Sequence, residues 1–131
     1  MGLDIQIKGL KREETYHGGY ITFANYRIKV AKAFNRTFGE IYEKPYRNPF
    51  YEFPDDDLKQ LNQLCNDDLD IFLWHSDCDG KLTPKECKKI YNELKKLKIE
   101  DFPYRDKGEM HELWLNMFKY CYTHRVNMWF H

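Results

Sequence analysis

Leu3, Ile5 and Ile7 alternate with polar residues near the start of the chain, and Val126, Met128 and Phe130 alternate in the same way near its end. A period of two sends neighbouring side chains to opposite faces of a strand, so both segments are predicted as half-buried strands. Their matching patterns suggest that the two pair in a small sheet. Between them the apolar period becomes helical. Phe23, Val30, Phe34 and Phe38 share one face, with Ala31 and Ala33 beside them. The turn signal His17-Gly18-Gly19 precedes this helix, Thr22 is its candidate N-cap and Gly39 its expected stop. Pro45, Pro49 and Pro54, set among aromatics, predict an ordered extended loop over 44–54.

Asp55 to Asp57 suit a helix N-terminus, where the backbone dipole favours negative charge. Leu58, Leu61, Leu64 and Cys65 form the inward face expected of that short helix. Thr83-Pro84-Lys85-Glu86 is a capping box with Pro at the first helical position. Cys87, Ile90, Tyr91, Leu94 and Leu97 then recur at helical spacing, as do Met110, Leu113, Trp114, Met117, Phe118 and Cys121 in a last helix. These elements predict a single α+β domain, residues 1–131. It is mostly helical, with about four helices and a small sheet formed by the N- and C-terminal strands.

Length agrees, since 131 residues suit one domain and not two. Nine Phe, ten Tyr and three Trp compensate for a modest apolar fraction of 42% and argue against intrinsic disorder. Lys plus Arg and Asp plus Glu both total 21, so the net charge is zero. A protein that lives on phosphate backbones carries a basic excess, and there is no strong nucleic-acid signal here. The charges are segregated, with Asp55, Asp56, Asp57, Asp67, Asp68 and Asp70 in one stretch and Lys81, Lys85, Lys88, Lys89, Lys95, Lys96 and Lys98 in the next. Two solvated faces that attract each other account for this pattern. No run is long enough for a membrane span and no secretory signal opens the chain. Cys65, Cys78, Cys87 and Cys121 therefore read as free thiols of a cytoplasmic protein.

One loop is chemically loaded. His75 to Glu86 can be laid on the twelve-residue EF-hand calcium loop, with Gly80 at position 6, Asp77 and Asp79 at positions 3 and 5, and Glu86 at the bidentate position 12. Lys81 would lend its carbonyl and Leu82 takes the apolar place, while Thr83 stands at position 9. Position 1 departs from the pattern, because His75 stands where the motif has Asp. Calcium prefers oxygen, so the loop either binds it weakly or not at all, or His75, Asp77, Asp79 and Glu86 hold manganese or zinc. The plain alternative is a helix start, with Thr83 as N-cap, Pro84 at N1, Glu86 as the reciprocal partner, and Asp77 and Asp79 as turn formers. A thiol site from His75, Cys78 and Cys87, completed by His111, Cys121 or His124, is weaker. Cys87 and Cys121 lie on apolar helix faces, where a free Cys behaves as a small hydrophobe.

His17, Gly18 and Gly19 before a helix, with Arg27 one turn inside, form a weak candidate for a small ligand or anion at backbone N–H groups. No G-x-S-x-G is present, and no Ser or Cys nucleophile is marked out with a base and an orienting partner. Met1 to Ile5, together with His75 to Gly80 and Thr83 to Cys87, resemble a group of small uncharacterised bacterial and phage proteins with an MGLDI-like start and a central HSDCDG loop. The resemblance implies a bacterial or phage source and brings no activity with it.

The expected function is that of a small non-enzymatic binding or regulatory protein, a bacterial or phage accessory factor acting on a protein or small-molecule partner. A divalent-metal module with an EF-hand-like loop and a metal-dependent hydrolase or nuclease are the alternatives. A homo-oligomer with an aromatic interface stays open.

Overall fold

The computed structural model describes residues 2–99 and 109–131; Met1, which belongs to the N-terminal resemblance, lies outside the described residues. β1 (Leu3–Ile7) leads through a 3-10 turn (Arg12–Glu14) to the short β2 (His17–Gly18). Four helices follow: α1 (Tyr20–Phe34), α2 (Arg36–Arg47), α3 (Asp55–Leu64) and α4 (Asp67–Leu73). β3 (Lys81–Leu82), α5 (Pro84–Leu94), α6 (Glu109–His124) and β4 (Met128–Phe130) complete the chain.

The two terminal strands do pair. Ile5 faces Phe130, Gln6 faces Trp129 and Ile7 faces Met128 in an antiparallel ladder. β2 adds to the other edge of β1 and β3 to the other edge of β4, giving the order β2-β1-β4-β3. Alternation sends Leu3, Ile5, Ile7, Leu82, Met128 and Phe130 into the core, leaving Asp4, Gln6, Lys81 and Trp129 on the opposite face. Trp114 of α6 lies at the centre of the aromatic core. Its ring centroid is 5.2 Å from those of Phe23 and Phe72, 5.5 Å from Tyr16 and 6.0 Å from Tyr26.

The helices number six among the described residues, where the apolar pattern predicts about four. The first difference is at Asn35, whose backbone is extended and whose Oδ1 accepts from the Phe38 amide at 3.0 Å. It ends α1 and caps α2, so Phe38 belongs to a second helix. Gly39 is not a stop. A Cβ there would lie 2.5 Å from the Lys32 backbone N and Cα, so its missing side chain is what lets α1 and α2 pack closely. Lys44 and Pro45 are helical as well, and the extended connection begins only after Arg47. The acidic stretch is split between α3 and α4 by Asn66, whose Oδ1 caps the amides of Asp68 and Leu69 at 3.1 and 3.0 Å. Of the expected inward face of α3, Leu61 is buried and Leu58 is 44% exposed. The capping box of α5 and the apolar stripes of α5 and α6 stand as expected, with Cys87, Ile90, Leu94, Trp114, Met117, Phe118 and Cys121 all buried.

Candidate functional site

The 75–86 loop is held from three directions. α4 ends at Leu73, and Arg27 reaches over from α1 to donate through Nη1 to the carbonyls of Phe72, Leu73 and His75 at 3.0, 3.1 and 2.6 Å. Tyr42 Oη donates to the Leu73 carbonyl at 2.7 Å. A cation at a helix C-terminus meets the negative end of the dipole and satisfies carbonyls that have no partner inside the helix. On the far side Phe130 N donates to the Gly80 carbonyl at 2.9 Å, and β3 pairs with β4. Gly80 has φ +87°, the left-handed conformation that favours glycine at the turn. At the end of the loop Glu86 Oε1 accepts from Thr83 N and Oγ1 at 2.9 and 3.0 Å.

His75 lies inside this frame. Its ring centroid is 4.2 Å from that of Phe130, Nδ1 is 2.8 Å from the Ser76 carbonyl and Nε2 is 3.2 Å from the Lys81 carbonyl. In the EF-hand register the Lys81 carbonyl is the one aimed at the ion; here it meets an imidazole nitrogen. Among the described residues, the only three His, Cys, Asp or Glu side chains with ligand atoms all within 4.8 Å of one another are Cys65, Asp67 and Asp70. His75, Asp77, Asp79 and Glu86 are thus not gathered around a common point, and in this arrangement the donor set does not fit a calcium ion. Cys87 and Cys121 are buried between α5 and α6, where the neighbouring Cys121 thiol and burial both push the Cys87 thiol up. Cys78 is exposed at the loop tip. The thiol set is not assembled either. At the α3–α4 junction Cys65 Sγ is 3.7 Å from Asp67 Oδ1, and burial pushes both the Cys65 thiol and the Asp70 carboxyl up.

The anion candidate is rearranged. Arg27 is 5% exposed and directed to the end of α4. Gly18 sits in β2 and Gly19 is the N-cap of α1. His17 has other partners. It lies across the ladder from Asp4, and its Nδ1 is 2.7 Å from Asp4 Oδ1. Its Nε2 is 2.8 Å from Thr15 Oγ1, which is also 3.1 Å from the Arg12 carbonyl. Arg12 Nη2 lies 3.8 Å from the same Asp4 oxygen. The hydrogen bond from His17 is the main reason that the Asp4 carboxyl is held below its ordinary value, with the Arg12 charge acting in the same direction.

This Asp4–His17–Thr15 row opens on a cavity of about 430 Å³, whose walls include Gln6, Lys8, Arg12, Thr15, His17 and Trp129. Local rules build it. Gly9 with φ +96° turns the chain after β1, the 3-10 turn brings Arg12 back, and the extended backbone of Thr15 restores a strand. Tyr16 points into the core, where burial pushes its phenol up to about 12; Thr15 and His17, one step either side, therefore face the cavity. Sequence reasoning missed Asp4, Lys8, Arg12 and Thr15. The available signal was faint: Thr-x-His spacing places two side chains on one face only if the segment is extended.

No family model, curated protein or solved structure matches the chain. No helix among the described residues is long and apolar enough to cross a membrane.

Proposed function

We propose that this chain is a small binding protein whose ligand site is the cleft between β1, the 3-10 turn and β2, and that the ligand is a small anionic molecule. The observation that carries the reading is the placement of Lys8, Arg12 and His17 in the wall of one cavity, with Gln6 as a neutral hydrogen-bonding group and Trp129 as an aromatic wall. Its volume is in the range of small-molecule sites, which combine apolar walls with a few convergent polar groups. Arg12 offers a planar fork to a carboxylate or phosphate and Lys8 a mobile point charge. The bacterial or phage accessory role implied by the resemblance belongs to the same proposal, with binding as the mode of action.

Titration of isotope-labelled protein with inorganic phosphate, pyrophosphate and succinate tests it. Saturable shifts of the Trp129 indole and His17 signals are expected, and Arg12→Ala is expected to weaken binding by about tenfold or more through loss of a charge-assisted hydrogen bond. Unchanged spectra with all three anions would end the proposal.

A further inference from the structure

We propose that the same cleft is reactive, and that Thr15 and His17 form and break an acyl ester with small, negatively charged carboxylic esters. The negative charge of the substrate rests on the binding reading above; the reactive groups do not. Asp4 Oδ1 lies 2.7 Å from His17 Nδ1 and keeps the proton of the neutral ring on that nitrogen. Nε2 is then the acceptor, and it lies 2.8 Å from Thr15 Oγ1, nearer than the Arg12 carbonyl at 3.1 Å that competes for the same hydroxyl proton. A hydroxyl, an imidazole and an orienting carboxylate in this order constitute the general arrangement for an activated oxygen nucleophile. Three features separate it from a fortuitous hydrogen-bonded row. Thr15 and His17 both belong to the cavity wall. Arg12 and Lys8 stand in the same wall and supply positive charge to the cavity. The ladder pairing of Asp4 with His17 fixes the imidazole against a strand and not on a free loop.

In the first step the Thr15 proton passes to His17 Nε2 while Oγ1 bonds to the acyl carbon and the carbonyl π pair moves to oxygen. Collapse of that intermediate breaks the carbon–oxygen bond to the alcohol, which takes the proton from Nε2. Water then attacks the Thr15 ester by the same route. The acid leaves and Oγ1 recovers its proton, so the sum is ester plus water to acid plus alcohol. Thr15 and His17 are the catalytic residues and Asp4 a positioning residue.

The test is hydrolysis of the mono-4-nitrophenyl ester of succinic acid by the full chain, with acid-quenched samples mapped by mass spectrometry. An acyl adduct on Thr15 is expected in the wild type. Rates are expected to fall about 100-fold in Thr15→Val and His17→Gln, while Thr15→Ser retains most of the activity. Asp4→Asn is expected to lower kcat and alter the pH profile, which loss of packing alone does not do. An adduct confined to Cys78 or the lysines, or equal rates for wild type and Thr15→Val, overturns the proposal. Adduct mapping in the wild type decides the matter even if a variant fails to fold. Binding of succinate without any Thr15 adduct sinks the reactivity and leaves the binding reading intact, whereas absence of binding by succinate, phosphate and pyrophosphate alike sinks the binding reading itself.

Discussion

His75 and His17 are both imidazoles with both ring nitrogens engaged, yet their partners differ in kind. His75 has two backbone carbonyls, of Ser76 and Lys81, and the tilted ring of Phe130 beside it. His17 has two side chains, a carboxylate and a hydroxyl, beside an open cavity. A carbonyl cannot give up or take a proton in the working pH range, so the His75 contacts can only hold a loop in shape. Asp4 and Thr15 can orient, accept and release protons, so the His17 contacts can support chemistry. The imidazole in the motif-rich loop thus holds backbone, and the one in the plain hairpin lines a cavity.

The largest expected effect concerns the anchor of the loop. Arg27→Met leaves the carbonyls of Phe72, Leu73 and His75 without their donor and is expected to destabilise the fold by about 3 kcal/mol, measured by urea denaturation. A change below about 0.5 kcal/mol, within the usual range of surface substitutions, would show that water replaces the guanidinium. His75→Ala removes ring packing and the imidazole's hydrogen bond to the loop backbone, for an expected loss of about 1–2 kcal/mol. Anion binding in the cleft is expected to stay as it was. His17→Gln should show the reverse, weak anion binding with nearly intact stability, and identical behaviour of the two variants would erase the distinction drawn above.

His75→Asp puts a carboxylate at the first position of the EF-like loop and takes away the imidazole that occupies the Lys81 carbonyl. Calcium affinity in the range of about 10⁻⁴–10⁻³ M is expected for the variant. Ten times that concentration then raises stability by about 1.4 kcal/mol. A calcium-independent melting curve for the variant would mean that the loop backbone, and not residue 75, forbids the ion.

The smallest effect is on acid stability. The folded-state value of Asp4 is depressed, mainly by the hydrogen bond from His17. Its stabilising contribution is therefore complete above the ordinary carboxylate range and is lost as pH falls through the lower folded value. Asp4→Asn is expected to flatten the acid limb of the stability profile by slightly lowering stability in the neutral region, while the values at the lowest pH stay nearly unchanged. A urea midpoint series from pH 2 to 7, a range chosen to span the carboxylate titrations, checks this.

Legibility in the sequence followed the range of the interaction. The capping box Thr83–Glu86, the stripes of α5 and α6 and the alternation of β1 and β4 depend on residues within a few positions of one another, and each was readable from spacing. The break at Asn35 was harder, because the apolar face of α1 continues in phase into α2 and hides a cap that only one side chain makes. Gly39 carried a true signal with the wrong meaning. Glycine marks either a stop or a close approach, and which of the two depends on what lies opposite, here the backbone of Lys32.

What the sequence determined by itself is the α+β class, the strand pattern at the two termini, and a stock of chemically competent side chains; that those two strands pair was only suggested by their matching alternation. Tertiary structure alone decided which of those side chains meet. Asp4 reaches His17 across a ladder thirteen residues apart in sequence, and Arg27 leaves the glycines beside it for helix-end carbonyls at Phe72, Leu73 and His75. The physical reason is that a charged or polar group, once burial removes its water, takes whichever partner the fold brings within hydrogen-bond distance. Distance along the chain has no part in that choice.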